Sequence, residues 1–146
     1  SLRKQVVYVT GNIAAGDVRS NTLYVFNDAD GAVITLPDSA GSAQTGAVYE
    51  FFVNVTATSN SHKVVFTDTT GEKLHGFINM IDTDTSDTQV TFAAQAGDSF
   101  SAVTMNGTTT GIAGSKFTIT NIAADTWAVE GNILHTGDVA TPFATS

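Results

Sequence analysis

The 146-residue sequence contains no cysteine. That absence excludes disulfide frameworks, thiolate metal sites and cysteine nucleophiles together, and it fits a chain folded in a reducing cytoplasm. Charge is scarce as well, at 14% of residues. Few of the charged residues recur at a helical period, so amphipathic surface helices are not expected. No apolar run approaches the ~18–20 residues that a membrane helix needs. The opening residues SLRKQVVYV carry too short an apolar run for a signal peptide, and no small-residue cleavage pattern follows. The expectation is a soluble chain that is not secreted by that route and has no membrane partner.

What is abundant is Thr, Val, Ala, Gly and Phe. Val, Thr and Phe suit pleated, half-buried surfaces, and Gly supplies turns. A chain of this length fits one domain, residues 1–146, that buries about 70% of its unfolded surface without a staple. The formal net charge is −8. Residues 1–19 hold Arg3, Lys4 and Arg19 against Asp17, a net of +2, which leaves −10 on the remainder. An acidic body of this kind does not bind nucleic acid through its surface. A short basic arm on it suits docking to an acidic partner.

Period two organises the chain. Residues 115–134, SKFTITNIAADTWAVEGNIL, alternate through Phe117 and Ile119, turn at Ala-Ala-Asp, and alternate again through Trp127, Val129 and Ile133. This reads as a hairpin with Trp127 in the core. Residues 5–10 form an earlier strand. Residues 22–27 (TLYVFN) and 32–36 (AVITL) read as a second hairpin, closed by the turn Asn27–Gly31 and ended by Pro37. Residues 22–27 are apolar on both sides, which calls for cover on both faces or for a partner. The strongest strand, 47–56, places Tyr49, Phe51, Val53 and Val55 on its core side. Val48, Glu50, Phe52 and Asn54 take the other side, with Phe52 a candidate interface residue. Residues 62–68 return from it. Residues 73–81 follow with Gly76 as a bulge, and residues 89–93 and 99–105 are two further strands joined by a turn at Gly97-Asp98. Nine or so short strands with little or no helix predict an all-β chain, an antiparallel β-sandwich or β-barrel. Residues 1–12 read as an N-terminal arm and 137–146 as a C-terminal tail.

No catalytic constellation emerges. His62, His75 and His135 lack partners at useful spacing, and Glu50, Glu72 and Glu130 are dispersed. Gly107, Gly111 and Gly114 precede Lys116, but Gly114-Ser-Lys-Phe has the wrong order for a phosphate loop. Asp82, Asp84 and Asp87 resemble a calcium loop only superficially. The positions for the required Gly and Glu hold Asp87 and Ala93, so at most a weak cation site is expected there. The expectation is a protein that is not an enzyme and carries no cofactor.

Taken together, GAVYEFFVNVTATSNSHKVVF, TMNGTTTGIAGSKFTITNIAADTWAVEG and the ending TGDVATPF resemble a family of small β proteins of tailed bacteriophages. The likeness covers most of residues 32–143. It rests on Tyr49–Phe52, the Asn-Gly-Thr turn at 106–108, Trp-Ala-Val at 127–129 and Thr-Pro-Phe at 141–143. It implies a head decoration (cement) protein, made in the bacterial cytoplasm and bound to the outside of the expanded shell. Its partners would be the major capsid protein and itself, as a homotrimer. In that role Leu2, Val6 and Tyr8 would be apolar contacts of the arm, and Arg3 and Lys4 electrostatic ones. Phe52, Pro142 and Phe143 would add subunit or capsid contacts. The alternative is a tail, baseplate or fibre component that recognises a receptor or glycan. That role predicts a groove lined by exposed Tyr24, Phe52 or Trp127.

Overall fold

The computed structural model describes residues 3–146. Among them, eleven strands form two sheets. The strands are β1 (Gln5–Val9), β2 (Thr22–Phe26), β3 (Val33–Leu36), β4 (Val48–Val53), β5 (His62–Phe66) and β6 (Lys73–Asp82). Then come β7 (Val90–Ala94), β8 (Ala102–Met105), β9 (Lys116–Ala123), β10 (Thr126–His135) and β11 (Phe143–Ala144). The only helical pieces among the described residues are single 3-10 turns at Ala15–Asp17 and Ser42–Gln44. A seven-stranded sheet runs β1-β2-β4-β9-β10-β6-β7 and a four-stranded sheet β11-β8-β5-β3. One apolar core draws on the inner faces of both. The chain is an all-β sandwich.

Both sheets are mixed, where antiparallel pairing was expected. β1–β2, β2–β4 and β10–β6 are parallel in the large sheet, and β3–β5 in the small one. The reason lies in how the chain moves. After β1 it bridges β3 at Ile13, returns as β2, crosses to β3, returns as β4 and crosses to β5. Three two-sided rungs therefore stack in parallel, as in a short solenoid. The expected hairpin of 22–27 with 32–36 does not form. Residues 27–32 instead arch over the ~10 Å between packed sheets, and each strand finds neighbours from other rungs. The same holds for β4 with β5 and for β7 with β8, which lie in opposite sheets. The β9–β10 hairpin forms as read, with Asp125 at φ 58 in its tight turn.

Gly76 is not a bulge. β6 runs in unbroken register past it, and the single shift along β10 falls at Thr126/Trp127 against β9. Gly76 has φ 139, and a Cβ there would lie 1.9 Å from the Val129 carbonyl oxygen, so glycine lets two strands close up.

Aromatic rings knit the sheets. Trp127 stacks on Phe66 at 5.1 Å across the sandwich, and Phe26 on His62 at 4.5 Å. Within the large sheet, Phe51 stacks on Phe117 at 5.1 Å. The two termini differ from expectation. Residues 5–9 of the predicted arm are paired along β2, because Val7 and Val9 supply core side chains. The predicted tail returns to the small sheet, where Phe143 pairs with Val103.

Candidate functional site

The outer face of the seven-stranded sheet collects most of the exposed chemistry. Alternation sends Tyr24, Phe26, Tyr49, Phe51, Phe117 and Trp127 inward, so their neighbours along each strand point out. Strand register then sets these neighbours in rows. One row is Val6, Leu23, Glu50, Thr118, Glu130 and Phe77; the next is Tyr8, Val25, Phe52, Lys116, Asn132 and Asn79.

The rows divide the face in two. Its β1–β2–β4 part is apolar, with Val6 47% and Tyr8 63% exposed beside half-buried Leu23 and Phe52. Glu50 borders this patch, clasped by Lys4 and with Lys116 at 3.5 Å. The β9–β10–β6 part is a shallow trough. Phe77, Thr118 and Glu130 lie between two adjoining depressions of about 290 and 310 Å³. Its floor is wired: Thr91 Oγ1 donates to Asn79 Oδ1 at 2.7 Å, and Asn79 Nδ2 to Asn132 Oδ1 at 3.3 Å. A larger cleft of about 500 Å³ lies between Asn12, Ala32, Val33, Ser61 and Lys63.

Two buried polar centres lie elsewhere. The Glu72 carboxylate is fully buried, and Oε1 accepts from Ser39 N–H (2.8 Å), Ser39 Oγ–H (2.6 Å) and Trp127 Nε1–H (3.2 Å). Oε2 accepts from Asp68 N–H at 3.1 Å. Asp38 and Asp125 bring carboxylate oxygens to within 4.8 Å of this group and of one another. Those are the residues that could approach a cation, but Glu72 already spends both oxygens on protein donors. At the second centre, His62 Nε2 lies 2.8 Å from the Val55 carbonyl and stacks on Phe26. Burial lowers its pKa, against the pull of the Val55 carbonyl and the Asp28 charge.

The acidic run folds onto itself. Asp82 Oδ1 accepts from Asp84 N–H at 3.1 Å and Oδ2 from Asp87 N–H at 2.6 Å, while Asp84 Oδ1 accepts from Ser86. Asp87 Oδ2 accepts from Val139 N–H. Desolvation raises the Asp82 pKa, but these hydrogen bonds, with His135 nearby, outweigh it and hold the carboxyl at about 2. Asp82 and Asp84 cap turns and Asp87 ties the run to Val139, so the three carboxylates do not converge as a cation site.

The residues singled out in the sequence scatter accordingly. Leu2 lies outside the described residues. Arg3 is exposed, Lys4 pairs with Glu50, and Val6, Tyr8 and Phe52 share the outer face. Pro142 and Phe143 are internal: Phe143 is 4% exposed and stacks on Phe100 at 5.7 Å. They are core residues of this chain, because β11 turns the Phe143 ring inward. Sequence reasoning overlooked Phe77 and the Glu72 network. Alternation through Leu74, Ile78 and Met80 carried the signal for Phe77, since it sends His75, Phe77 and Asn79 outward. Little in the sequence marked Glu72: of its donors only Asp68 is near in sequence, while Ser39 and Trp127 arrive from distant segments. In comparison with known proteins, the chain matches no family model, no curated protein and no solved structure.

Proposed function

We propose that this chain is a non-enzymatic virion structural protein, a decoration protein that sits on the outside of a phage head and binds its major capsid protein. The observation that carries the reading is the apolar β1–β2–β4 part of the outer face, rimmed by Lys4, Glu50 and Lys116. An exposed apolar patch with a polar rim is the usual mark of a protein-binding surface. Its backing is a rigid two-sheet core. A stiff module that binds only the expanded shell stabilises it by mass action, multiplied over many copies. The burial of Tyr24 and Trp127 also favours this role over a glycan groove lined by those rings.

A second reading, a tail or fibre component that meets a receptor or glycan, draws on a different observation. Phe77 is exposed in the trough beside Asn79, Asn132 and Glu130. The two readings use opposite parts of one face, and cryo-EM of the particle that carries the chain separates them. The expected result is density on the shell exterior, with β1, β2 and β4 toward the capsid. In co-sedimentation with expanded heads, the Phe52→Asp variant is then expected to lose binding. Density at the tail alone would transfer the assignment to the second reading. No density on the particle would remove both.

A further inference from the structure

We infer that the outer edge of β1 pairs with the β1 edge of a second copy, antiparallel about a two-fold axis through Val7. This goes beyond the decoration reading and does not depend on it.

β1 is the open end of the three-rung stack. No described strand pairs with its outer side. Open edges are normally blunted by proline, charge or a bulge. The segment QVVYV has no proline and no charged residue, and its register with β2 is unbroken. The other edges are protected. β3 is covered by Ile13, whose N–H donates to Val33 O and whose carbonyl accepts from Thr35 N–H, both at 3.0 Å. β11 is two residues long, and β7 lies between turns that carry Asp87 and Asp98. Among the described residues, no strand covers this end of the stack. Val7 and Ile13 belong to the core yet are only partly buried, whereas a solenoid end needs a cover.

Hydrogen-bond phase sets the register. The Val9 carbonyl accepts from Asn27 N–H at 3.0 Å, so Gln5, Val7 and Val9 direct their backbone groups toward β2. Val6 and Tyr8 direct theirs toward the open edge. An antiparallel partner must pair edge-facing residues with edge-facing residues. Centring the axis on Val7 does so and uses all five residues of the strand. Val6 then exchanges both backbone bonds with Tyr8 of the second copy, and Tyr8 with its Val6. Val7 faces Val7 as a non-hydrogen-bonded pair, inner side chains together, which covers the open core. On the outer face Val6 and Tyr8 form aromatic–β-branched cross-strand pairs. Gln5 lies opposite Val9 and Lys4 opposite Thr10, so no like charges meet. The contact is isologous and closed. It replaces the three-fold arrangement that the family resemblance implies, and it joins two copies of the apolar patch into one.

The absence of cysteine makes the test clean. Val7→Cys places two thiols at a non-hydrogen-bonded antiparallel pair, where the Cα separation of about 4.5 Å permits a disulfide. The expected result is a wild-type mass twice 15.2 kDa in sedimentation across a concentration series. Val7→Cys is expected to oxidise to a covalent dimer of unchanged hydrodynamic size. Tyr8→Lys, with an unchanged circular dichroism spectrum, is expected to run as a monomer. A folded wild-type monomer or a trimer overturns the inference, as does a Val7→Cys variant that stays reduced under oxidant. A folded Tyr8→Lys dimer overturns it too. If Tyr8→Lys does not fold, the cross-linking result decides alone.

Discussion

Glu72 is the one buried acid among the described residues, and its carboxylate ties Ser39, Asp68 and Trp127 into one network. Substitution by Ala leaves four donors without an acceptor. Since each buried unpaired group costs roughly 1–3 kcal/mol, the expected loss in urea unfolding is at least about 3 kcal/mol. Glu72→Gln keeps an acceptor oxygen and is expected to lose less than half as much. Equal losses in both variants would show that one acceptor oxygen does not sustain the network. His62 gives a pH signature at the same scale. Its folded pKa lies below the ordinary 6.5 because it is buried. The neutral ring is therefore the form the fold prefers. Its contribution is fully present above pH 6.5 and drains as pH falls through the lowered folded pKa. Asp82 acts lower: its support is present above 3.8 and is lost as pH falls toward about 2. Urea midpoints measured from neutral to acid pH are expected to show two separate declines. His62→Phe is expected to abolish the first and leave the second; a first decline that persists would assign it elsewhere.

At the scale of the element, alternation made much of the fold legible and pairing did not. The inward set Tyr49, Phe51 and Val53 and the hairpin around Trp127 follow from side chains that alternate every residue. Which strand lies beside which depends on arches such as 27–32. Their length lets the chain either turn back in one sheet or cross to the other. Two apolar faces on β2 were a partial hint: the strand lies between β1 and β4, with Tyr24 and Phe26 in the core and Leu23 and Val25 on the apolar part of the outer face. The candidate site was legible to the same extent. Val6, Tyr8 and Phe52 were readable as outward residues. Phe143 was not readable as core, because its burial depends on β11 reaching β8. Gly76 is the sharpest element-scale test. An Ala there combines a strained positive φ with a Cβ driven into the Val129 carbonyl. The expected cost is at least about 2–3 kcal/mol, read as a lowered urea midpoint with an unchanged slope. A loss below about 0.5 kcal/mol, the usual size for a neutral surface change, would show that the β6–β10 pair can open there.

At the scale of the whole molecule, the first rung has two jobs, and a test of function has to separate them. Removing residues 1–10 is the direct way to ask whether the N-terminal segment holds a partner. It also removes Val9, which is 1% exposed, and takes Val7 from the core. Burying a Val contributes ~1.5–3 kcal/mol, and the deletion bares the β2 edge in addition, so the truncated chain is expected to be destabilised by several kcal/mol. Lost capsid binding in that variant would report unfolding as readily as a missing contact. Tyr8→Asp is the sharper instrument when its sedimentation mass is read beside its binding, because Tyr8 also lies at the inferred β1–β1 pair. Its side chain points out of the sandwich and its backbone groups point away from β2, so the fold is expected to keep its stability to within about 0.5 kcal/mol, as surface changes do. Binding to expanded heads is expected to fall at least tenfold if the apolar patch is the adhesive surface, because a carboxylate is buried without a partner. A Tyr8→Asp chain that folds normally and binds as well as wild type would move the contact off this part of the sheet. It would leave the trough around Phe77 as the surface to probe next.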